Sequence, residues 1–587
     1  MSDGRLPPRR RWLGWTIGTL ITVLILAVGW VAIRGIGAVT DLQQVATSAS
    51  QLKTAIASRD LEKAETVSQK IEHHAASAHS LTSDPVWQAF GVLPWIGPNF
   101  RAVSEISAIA DDVASDALAP VLETATGLDL SSLGLSAGAI DLTPFAAAEA
   151  PLSDAATTLS SAETRAQRID AEATLPALAE AVDELRTAVT QAATVVGSLH
   201  GAASLLPPML GAEAPRNYVI AMQNNAESRS DGGIIGAIAL IHAEGGRITL
   251  AQQASTRDFP ALETPLPVSE STTALFEDGP GRHLQNITSI PDFAEAAPLI
   301  ATRWQERFGT AVDGVIAVDA VLASHLLDAT GPVAVGPFTA DGDNVVSLLL
   351  SEIYAAVPDP AAQDEIFAQA AAGMLGAAFS TADPQKLLGA LADAAGDDRI
   401  RIWSAHEDEQ VFLASTTLGG ILPSDGDAGS HVGVLINDTT GGKMDYYADA
   451  EITTATGVCR GEPTTQVRVT WTNDAPPDAA TALPAYVTAD GAYGVPAGST
   501  RTLIAIYGPE GATASRIDRD GAEESVQTAL LGTRTAVQHE VILAPGESTT
   551  ITVEFQGEGA GDRLTRVSHT PLVREVAIDR QDIRCTP

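Results

Sequence analysis

Cysteine is scarce in this sequence of 587 residues, and its scarcity excludes one class of site. The two cysteines, Cys459 and Cys585, lie far apart in the last quarter of the chain. Structural zinc sites need clustered Cys and His, so none is predicted. Two interpretations stay open: a disulfide that pins the C-terminus, or two buried free thiols. We favour the disulfide, which implies an oxidising, extracytoplasmic compartment.

Positive charge is also scarce. The chain has 35 Lys and Arg against 73 Asp and Glu, a formal net charge of -38. Proteins that bind nucleic acid need a basic face for the phosphates. Broad attraction to anionic lipid head groups needs basic residues too. The composition therefore argues against both kinds of partner.

Several common catalytic motifs are missing as well. The sequence has no Gly-x-Ser-x-Gly, no P-loop, no His-Glu-x-x-His and no Cys-x-x-Cys. These motifs would indicate a serine hydrolase, a nucleotide site, a zinc protease and a thiol redox site, respectively. Any chemistry must therefore rest on a different set of residues.

One long uncharged run is present near the start, from Trp12 to Ile33. As a helix it would be ~33 Å long, enough to cross a hydrocarbon core of ~30 Å. Only Arg34 follows it closely, whereas four arginines precede it: Arg5, Arg9, Arg10 and Arg11. The positive-inside rule keeps such an N-terminus in the cytoplasm. We predict a cytoplasmic tail (1–11) and a single transmembrane helix (12–33), with a cleaved signal peptide as the alternative.

Residues 35–205 are rich in Ala, Ser, Thr, Glu and Gln, with apolar residues at helical spacing. This pattern predicts a helical stalk or bundle. Within it, "VWQAFGVLPWIG" (residues 86–97) is unusually apolar. It either rests on the membrane surface or forms the packed turn of a helical hairpin, and we favour the packed turn.

The rest of the chain changes pattern twice. Strands and helices alternate over residues 206–440, which predicts an α/β/α sandwich around a mixed central sheet. Residues 441–587 alternate apolar and polar side chains between Gly/Pro turns, which predicts a β-sandwich. The expected fold class is multidomain α+β. Lys443 follows a Gly-Gly turn and is expected to join these two domains.

Two Arg/Asp pairs flank a predicted hairpin that turns at Gly245-Gly246. Arg229 with Asp231 precedes it, and Arg257 with Asp258 follows it. A hairpin brings its outer ends together, so both pairs are expected at one end of the sheet, offset by ~10 Å along the strands.

This placement suits an anionic ligand with a divalent ion. Arginines grip phosphate oxygens bidentately, and aspartates hold Mg²⁺. Gly232 and Gly233 lack side chains, so a ligand or another backbone segment can approach closely. Two structural ion pairs at a sheet edge are an equally open interpretation.

Four segments resemble an actinobacterial, membrane-anchored family known as domain of unknown function 4012. They are "MQNNAESRSDGGIIGAIAL", "VDGVIAVDAVLASHLLDATGPVAV", "NDTTGGKMDYYADAEI" and "TNDAPPDAATALPAYV". Together they run across most of the chain beyond Arg216. The resemblance implies an envelope protein anchored in the cell membrane.

A second resemblance covers residues 216–335, which look like a divergent LytR-CpsA-Psr phosphotransferase. Those enzymes place Arg-Ser-Asp before a strand hairpin and Pro-Arg-Asp after it. Here "SRSD" and "STRD" stand at the matching places, with Thr256 instead of the proline. That family moves glycopolymers from a polyprenyl pyrophosphate carrier onto peptidoglycan, outside a single membrane helix.

This resemblance implies a catalytic set, which consists of Arg229, Asp231, Arg257 and Asp258. The two arginines would bind the pyrophosphate, Asp231 would help to hold Mg²⁺, and Asp258 would support an arginine. The ligand would lie against Asn225, Gly232 and Gly233.

The sequence departs from that family twice. Asn224 and Asn225 stand where the family has an acidic residue, and the later helix lacks the family's arginines. Three hypotheses remain open. The chain is a Mg²⁺-dependent envelope enzyme that binds and transfers a polyprenyl-linked glycopolymer, or a non-catalytic scaffold or polymer-binding protein, or an adhesin displayed by its β-sandwich. The expected partners are the membrane and that glycopolymer or peptidoglycan.

Overall fold

The computed structural model describes residues 9–58, 60–127, 139–380, 383–420, 422, 430–557, 559–561 and 565–583. The fold is mixed α+β, with an apolar helix at the N-terminus. The chain divides into two compact units, which are described separately. The helical unit comprises Met1–Asp129 and Leu142–Pro207, and the mixed unit comprises Leu130–Asp141 and Pro208–Pro587.

The helical unit is built from helices, most of them long. They are α1 (Arg9–Ala57), α2 (Leu61–Thr82), α3 (Pro85–Gly91), α4 (Gly97–Val113), α5 (Ala119–Gly127), α6 (Thr143–Gln167) and α7 (Pro176–Met209). Aspartates start two of them: Asp60 accepts the N–H of Lys63, and Asp84 accepts those of Val86 and Trp87. Such N-caps satisfy amides that have no partner within the helix.

The helices α1 and α2 run antiparallel. Near the end of α1, Ala55 packs with Ala64 at the start of α2. Earlier in α1, Asp41 lies 2.8 Å from the ring of His74, which is nearer the end of α2. Small residues such as these alanines allow the two helices to approach closely.

Between Val23 and Ile36, α1 has little protein around it. Among the described residues, one span (Ile25–Ile56) is long and apolar enough to cross a membrane, by length and composition. From Ala38, which is fully buried, α1 packs within the bundle. Before that point many large apolar side chains are exposed: Val23, Ile25, Leu26, Val28, Ile33 and Ile36. Before Ala38, these exposed apolar side chains run from Val23 to Ile36, a stretch that overlaps the predicted span Trp12–Ile33.

The mixed unit begins with a five-stranded sheet. Its strands are β1 (Arg216–Arg229), β2 (Gly232–Glu244), β3 (Arg247–Ser255), β4 (Gly314–Asp319) and, later in the chain, β7 (Ile400–Ser404). The order is β3-β2-β1-β4-β7, with β1 and β4 parallel and the other pairs antiparallel. The carboxyl ends of β1 and β4 therefore lie beside the start of β7.

Helices and a small hairpin form between β3 and residue 430 of the chain. They are α8 (Glu270–Phe276), α9 (Gly279–Arg282), α10 (Phe293–Phe308), α11 (Ala320–Thr330), β5 (Val333–Val335), β6 (Phe338–Ala340), α12 (Val345–Ser347), α13 (Ile353–Ala356), α14 (Pro360–Ser380), α15 (Pro384–Gly396) and α16 (Glu407–Ala414). In β4, Val315 clusters with residues of α10 such as Ile300. The next residue, Ile316, lies on the opposite face and clusters with Leu322 of α11 and Ala394 of α15. Helices thus cover both faces.

The β2–β3 hairpin forms as the sequence predicts. Gly245 and Gly246 make its turn with φ values of 55° and 80°. A Cβ at Gly246 would lie 2.2 Å from the carbonyl oxygen of Ile140. Glycine is needed there both for the positive φ and for this close approach.

Two further sheets make up the C-terminal region. Their strands are β8 (His431–Asp438), β9 (Ala448–Cys459), β10 (Glu462–Asn473), β11 (Thr500–Glu510), β12 (Ala512–Arg519), β13 (Ala522–Glu523), β14 (Gln527–Leu531), β15 (Arg534–Leu543), β16 (Ser548–Gly557), β17 (Arg566–His569) and β18 (Ala577–Asp582); two short helices, α17 (Ala479–Ala482) and α18 (Ala485–Thr488), lie between β10 and β11. The orders are β13-β12-β16-β10-β9-β18 and β14-β15-β11-β8-β17. Both sheets contribute to one buried apolar cluster, which includes Ile504 and Trp471.

Two features concern the predicted domain boundary and the cysteines. The strand β8 pairs with β11 and β17, although it precedes the predicted boundary at residue 440. Cys459 is buried and is not a free thiol. Cys585 lies outside the described residues, so the pairing of the two cysteines stays a prediction.

Candidate functional site

Arg229, the first predicted arginine, lies at the end of β1 with only 7% of its surface exposed. Its Nη2 donates to Oε1 of Glu227 at 2.9 Å. Its Nη1 donates to the main-chain oxygens of Ser228 (3.0 Å) and Asp438 (3.1 Å). Both Nη atoms of Arg229 therefore donate to acceptors within the protein, and little of the guanidinium remains to bind a phosphate.

Glu227 lies between two cations. Its second carboxylate oxygen contacts the Nζ of Lys443, and both side chains are buried. Lys443 comes from the segment after β8, so this contact joins the first sheet to the C-terminal sheets, as the sequence predicts for Lys443. We call Glu227, Arg229, Asp438, Lys443 and Asp445 the junction cluster.

The junction cluster contains three carboxyl groups and two bases. Burial and the charge of Glu227 raise the pKa of Asp438 to about 6, and burial and Asp438 raise that of Asp445 to about 8. Burial would raise the pKa of Glu227 too, but Lys443 and Arg229 lower it. At neutral pH one proton on the carboxyl groups leaves the cluster close to electrically neutral. Such a balance avoids an unpaired buried charge, which would destabilise the fold.

Asp231 is also enclosed, with 1% of its surface exposed. Its N–H donates to the oxygen of Thr288 at 3.0 Å, and its Oδ2 accepts from Nε2 of Gln223 at 3.2 Å. The Nε of Arg401 lies 3.6 Å from its Oδ1. Burial raises the pKa of Asp231 to about 7, although Arg401 opposes the shift.

The chain's own C-terminal segment covers the carboxyl ends of β1 and β4. Asn225 donates through Nδ2 to Asp319 Oδ2 at 3.0 Å and to the oxygen of Pro571 at 2.8 Å. Arg399 Nη1 donates to the same Asp319 oxygen at 2.8 Å and to the oxygen of Leu572 at 2.7 Å. Carbonyl oxygens of this segment thus take the positions where a ligand is expected.

The predicted ligand-facing glycines also face protein. A Cβ at Gly232, where φ is 130°, would lie 2.3 Å from Oε1 of Gln223 and 3.6 Å from Pro571. At Gly233 a Cβ would lie 2.4 Å from the carbonyl group of Asn224. A ligand or another backbone segment was expected at these glycines, and the structure places the side chains of Gln223 and Pro571 at Gly232 and the backbone of Asn224 at Gly233.

Arg257 and Asp258 lie elsewhere. Arg257 is exposed and donates through Nη2 to the oxygen of Pro360 (3.0 Å) and to Asp364 (3.3 Å). Asp258 accepts the N–H of Ser255 at 2.9 Å and so starts a 3-10 helix over Thr256–Asp258.

The two Arg/Asp pairs do not share a partner. The last residue of β3, Ser255, pairs with Ala237, whereas Arg229 pairs with Gly232. Five residues of strand separate those positions, about 17 Å. The chain then turns into the 3-10 helix instead of extending toward Gly232. The structure therefore encloses Arg229 and Asp231 and leaves Arg257 at the surface.

The residues around Asp231 do not fit a magnesium ion. Mg²⁺ prefers an octahedron of oxygen ligands. The side-chain groups that contact the Asp231 carboxylate are nitrogens, the amide of Gln223 and the guanidinium of Arg401. In the part of the chain that the structure describes, no group of three His, Cys, Asp or Glu residues is arranged to hold a metal.

Sequence reasoning missed Glu227, Arg399 and Arg401. A signal for the arginines was present in "RIRIW", because a strand that alternates Arg with Ile places the arginines on one face. Glu227 gave no such signal, since acidic residues are common in this chain.

A comparison with models of known protein families found a match for part of the chain. Residues 213–354 match the family model described as "Protein of unknown function (DUF4012)". This match supports the DUF4012 family. This matched segment contains strands β1 to β6 and all four predicted catalytic residues. No curated protein matches the sequence.

Among solved structures, the X-ray structure of Lin1025 protein from Listeria innocua is similar to part of this chain. It is 10% identical to this chain, and the alignment covers 37% of this chain and 85% of that one, with a TM-score of 0.21. A likeness at that score carries no argument about the fold.

Proposed function

We propose that the chain is a single-pass membrane protein whose mixed unit serves outside the membrane as a non-catalytic envelope scaffold. The observation that carries this proposal is the enclosure of Arg229 and Asp231. A phosphotransferase needs such residues open to the substrate, because charge stabilisation at the reacting phosphate supplies most of its catalysis.

The membrane part of the proposal rests on α1 and on its flanks. The exposed apolar side chains of α1 before Arg34 suit lipid, and arginines cluster on the N-terminal side of the predicted span. By the positive-inside rule, the folded units then lie outside. The finer predictions, an α/β/α sandwich followed by a β-sandwich, are part of the same proposal.

A second candidate function is binding of a phosphate-bearing, polyprenyl-linked glycopolymer at Arg257. The exposure of this side chain favours it: Arg257 is 54% exposed, and its ionic partner Asp364 is 36% exposed. Exposed ion pairs contribute little to stability. Arg257 can therefore exchange Asp364 for a phosphate without disturbing the fold.

The test uses the full chain, purified in lipid nanodiscs from a host that makes polyprenyl phosphates. Mass spectrometry of the extracted lipid measures binding, and a labelled polyprenyl-linked glycopolymer with Mg²⁺ measures transfer. We expect no transfer, whether or not the chain binds the lipid. If Arg257 binds the lipid, Arg257→Ala loses it, whereas the control Arg247→Ala, at the other end of β3, keeps it.

Transfer by the wild-type chain would contradict the scaffold proposal. If Arg229→Lys also abolished transfer while its melting temperature stayed at the wild-type value, Arg229 would serve catalysis and not the fold. An empty wild-type protein would refute only the second candidate.

A further inference from the structure

The turn between α3 and α4 exposes a contiguous group of apolar side chains. Trp95 is 90% exposed and Val92 is 83% exposed, and Leu93 and Ile96 are also exposed. Single exposed apolar residues are ordinary, but a contiguous group on a folded unit marks an interaction surface. We call residues 92–96 the apolar turn.

The apolar turn is firmly held. Arg101 donates through Nη1 to the oxygen of Gly91 at 2.5 Å, and the N–H of Gly97 donates to the oxygen of Leu93 at 2.9 Å. Trp95 has a φ of 64°, a left-handed conformation that bulky residues rarely adopt. The fold thus keeps this tryptophan outward in a strained conformation, which points to a function.

The start of α3 is tied to the end of the apolar half of α1. Asp84, the N-cap of α3, accepts from Nε1 of Trp30 at 2.9 Å and from Nε of Arg34 at 2.5 Å. A Cβ at Gly35 would lie 3.5 Å from the ring of Trp87. The seven residues of α3 therefore place the apolar turn at the level where the lipid-facing part of α1 ends.

A second turn reaches the same end of the helical unit. Leu175, between α6 and α7, is 65% exposed. Its N–H donates to Oδ1 of Asn99, in the first turn of α4, at 2.8 Å. Two turns that are distant in sequence thus present exposed apolar side chains beside each other.

We propose that the apolar turn, with Leu175, inserts into the lipid interface of the bilayer that α1 crosses, on the side where the helical unit lies. This proposal rests on the membrane anchor of the proposed function. Tryptophan prefers the membrane–water interface, where its ring is apolar and its N–H finds polar partners. The insertion is apolar rather than electrostatic, in agreement with the strongly acidic chain.

The test places a nitroxide label at single introduced cysteines in the full chain, reconstituted in phosphatidylcholine bilayers. The labelled variants are Val92→Cys, the control Val195→Cys and the anchor reporter Ile25→Cys. Val195 is an exposed valine of the same unit, about 30 Å along α7 from Leu175. The wild-type chain, treated with the label, measures the background from the native cysteines.

Spin-relaxation measurements compare collisions with oxygen, which concentrates in lipid, and with a water-soluble nickel complex. We expect oxygen collisions to exceed nickel collisions at positions 92 and 25, and the reverse at position 195. A water-like label at 92 beside a lipid-like label at 25 would overturn the insertion and leave the anchor intact.

Two other outcomes would also overturn the insertion. A water-like label at position 25 would refute the anchor as well. A label at position 92 that is shielded from both reagents would show that protein, not lipid, covers the apolar turn.

Discussion

Removing the negative charge of Glu227 is the sharpest perturbation of the junction cluster. Glu227→Gln keeps the shape of the side chain. It leaves Arg229, at 2.9 Å, and Lys443 without their shared buried carboxylate. The substitution turns one carboxylate oxygen into an amide nitrogen. This nitrogen cannot accept a hydrogen bond from the cation that it faces, whether that is Arg229 or Lys443.

The expected cost follows from the burial of all three charges. Breaking a buried ion pair by removing one partner costs about 3–5 kcal/mol, because a charge stays buried without compensation. Part of that cost is offset here. The charge of Glu227 contributes to the raised pKa of Asp438, so its loss lowers that pKa and favours ionised Asp438. We therefore expect a loss near the lower limit, about 3 kcal/mol.

Hydrogen exchange followed by mass spectrometry measures this loss locally, on peptides that cover β1 and β8. A loss of about 3 kcal/mol corresponds to exchange that is faster by roughly a hundredfold. The control is Glu244→Gln, an exposed residue at the end of β2, with an expected change within about 0.5 kcal/mol. Unchanged exchange in Glu227→Gln would refute the structural role of the cluster.

Three further predictions concern other positions. Burial raises the pKa of Asp231 to about 7, so its contribution to stability is lost as the pH rises from about 4 to about 7; because Asp438 and Asp445 also have raised pKa values, the stability lost between pH 5 and pH 8 in urea unfolding should be smaller in Asp231→Asn than in the wild type, and equal losses would contradict this. Asn225→Asp replaces the amide that donates to Asp319 at 3.0 Å by a second carboxylate, so its melting temperature should fall more at pH 8 than at pH 5, and equal falls would contradict this. Gly97→Ala places a Cβ 2.5 Å from the oxygen of Gly91 and should cost about 1–3 kcal/mol in thermal unfolding, whereas no change would show that the turn can relax.

The elements that sequence alone predicts are those with a local pattern. The uncharged run at the N-terminus lies within one helix, and the Gly245-Gly246 turn closes a hairpin. Helical periodicity and positive-φ glycines are readable within a few residues. These parts of the fold needed no knowledge of distant contacts.

The partners of Arg229 could not be predicted in the same way. The contact between Glu227 and Lys443 joins residues 216 positions apart. No local pattern indicates such a pair, so an arginine before a hairpin was equally compatible with an open site and an enclosed one.

The separation of the two Arg/Asp pairs did leave a local signal in the sequence. Ser255 and Asp258 form a capping box, in which each side chain accepts the other's N–H. A Ser followed three residues later by an acidic residue is typical of a helix start. The estimate of ~10 Å between the pairs assumed that the strands continue in extended form, and the 3-10 helix ends β3 before Arg257.

The most direct test of the account compares two arginines in one protein. Hydrogen exchange at β1 and β8 is measured for Arg229→Ala and Arg257→Ala in the full chain. We predict a loss of about 3 kcal/mol or more for Arg229→Ala, because Glu227 then keeps only Lys443, and less than about 0.5 kcal/mol for Arg257→Ala, whose ion pair is exposed. Equally small losses, or a gain for Arg229→Ala, would show that Arg229 serves a ligand rather than the fold.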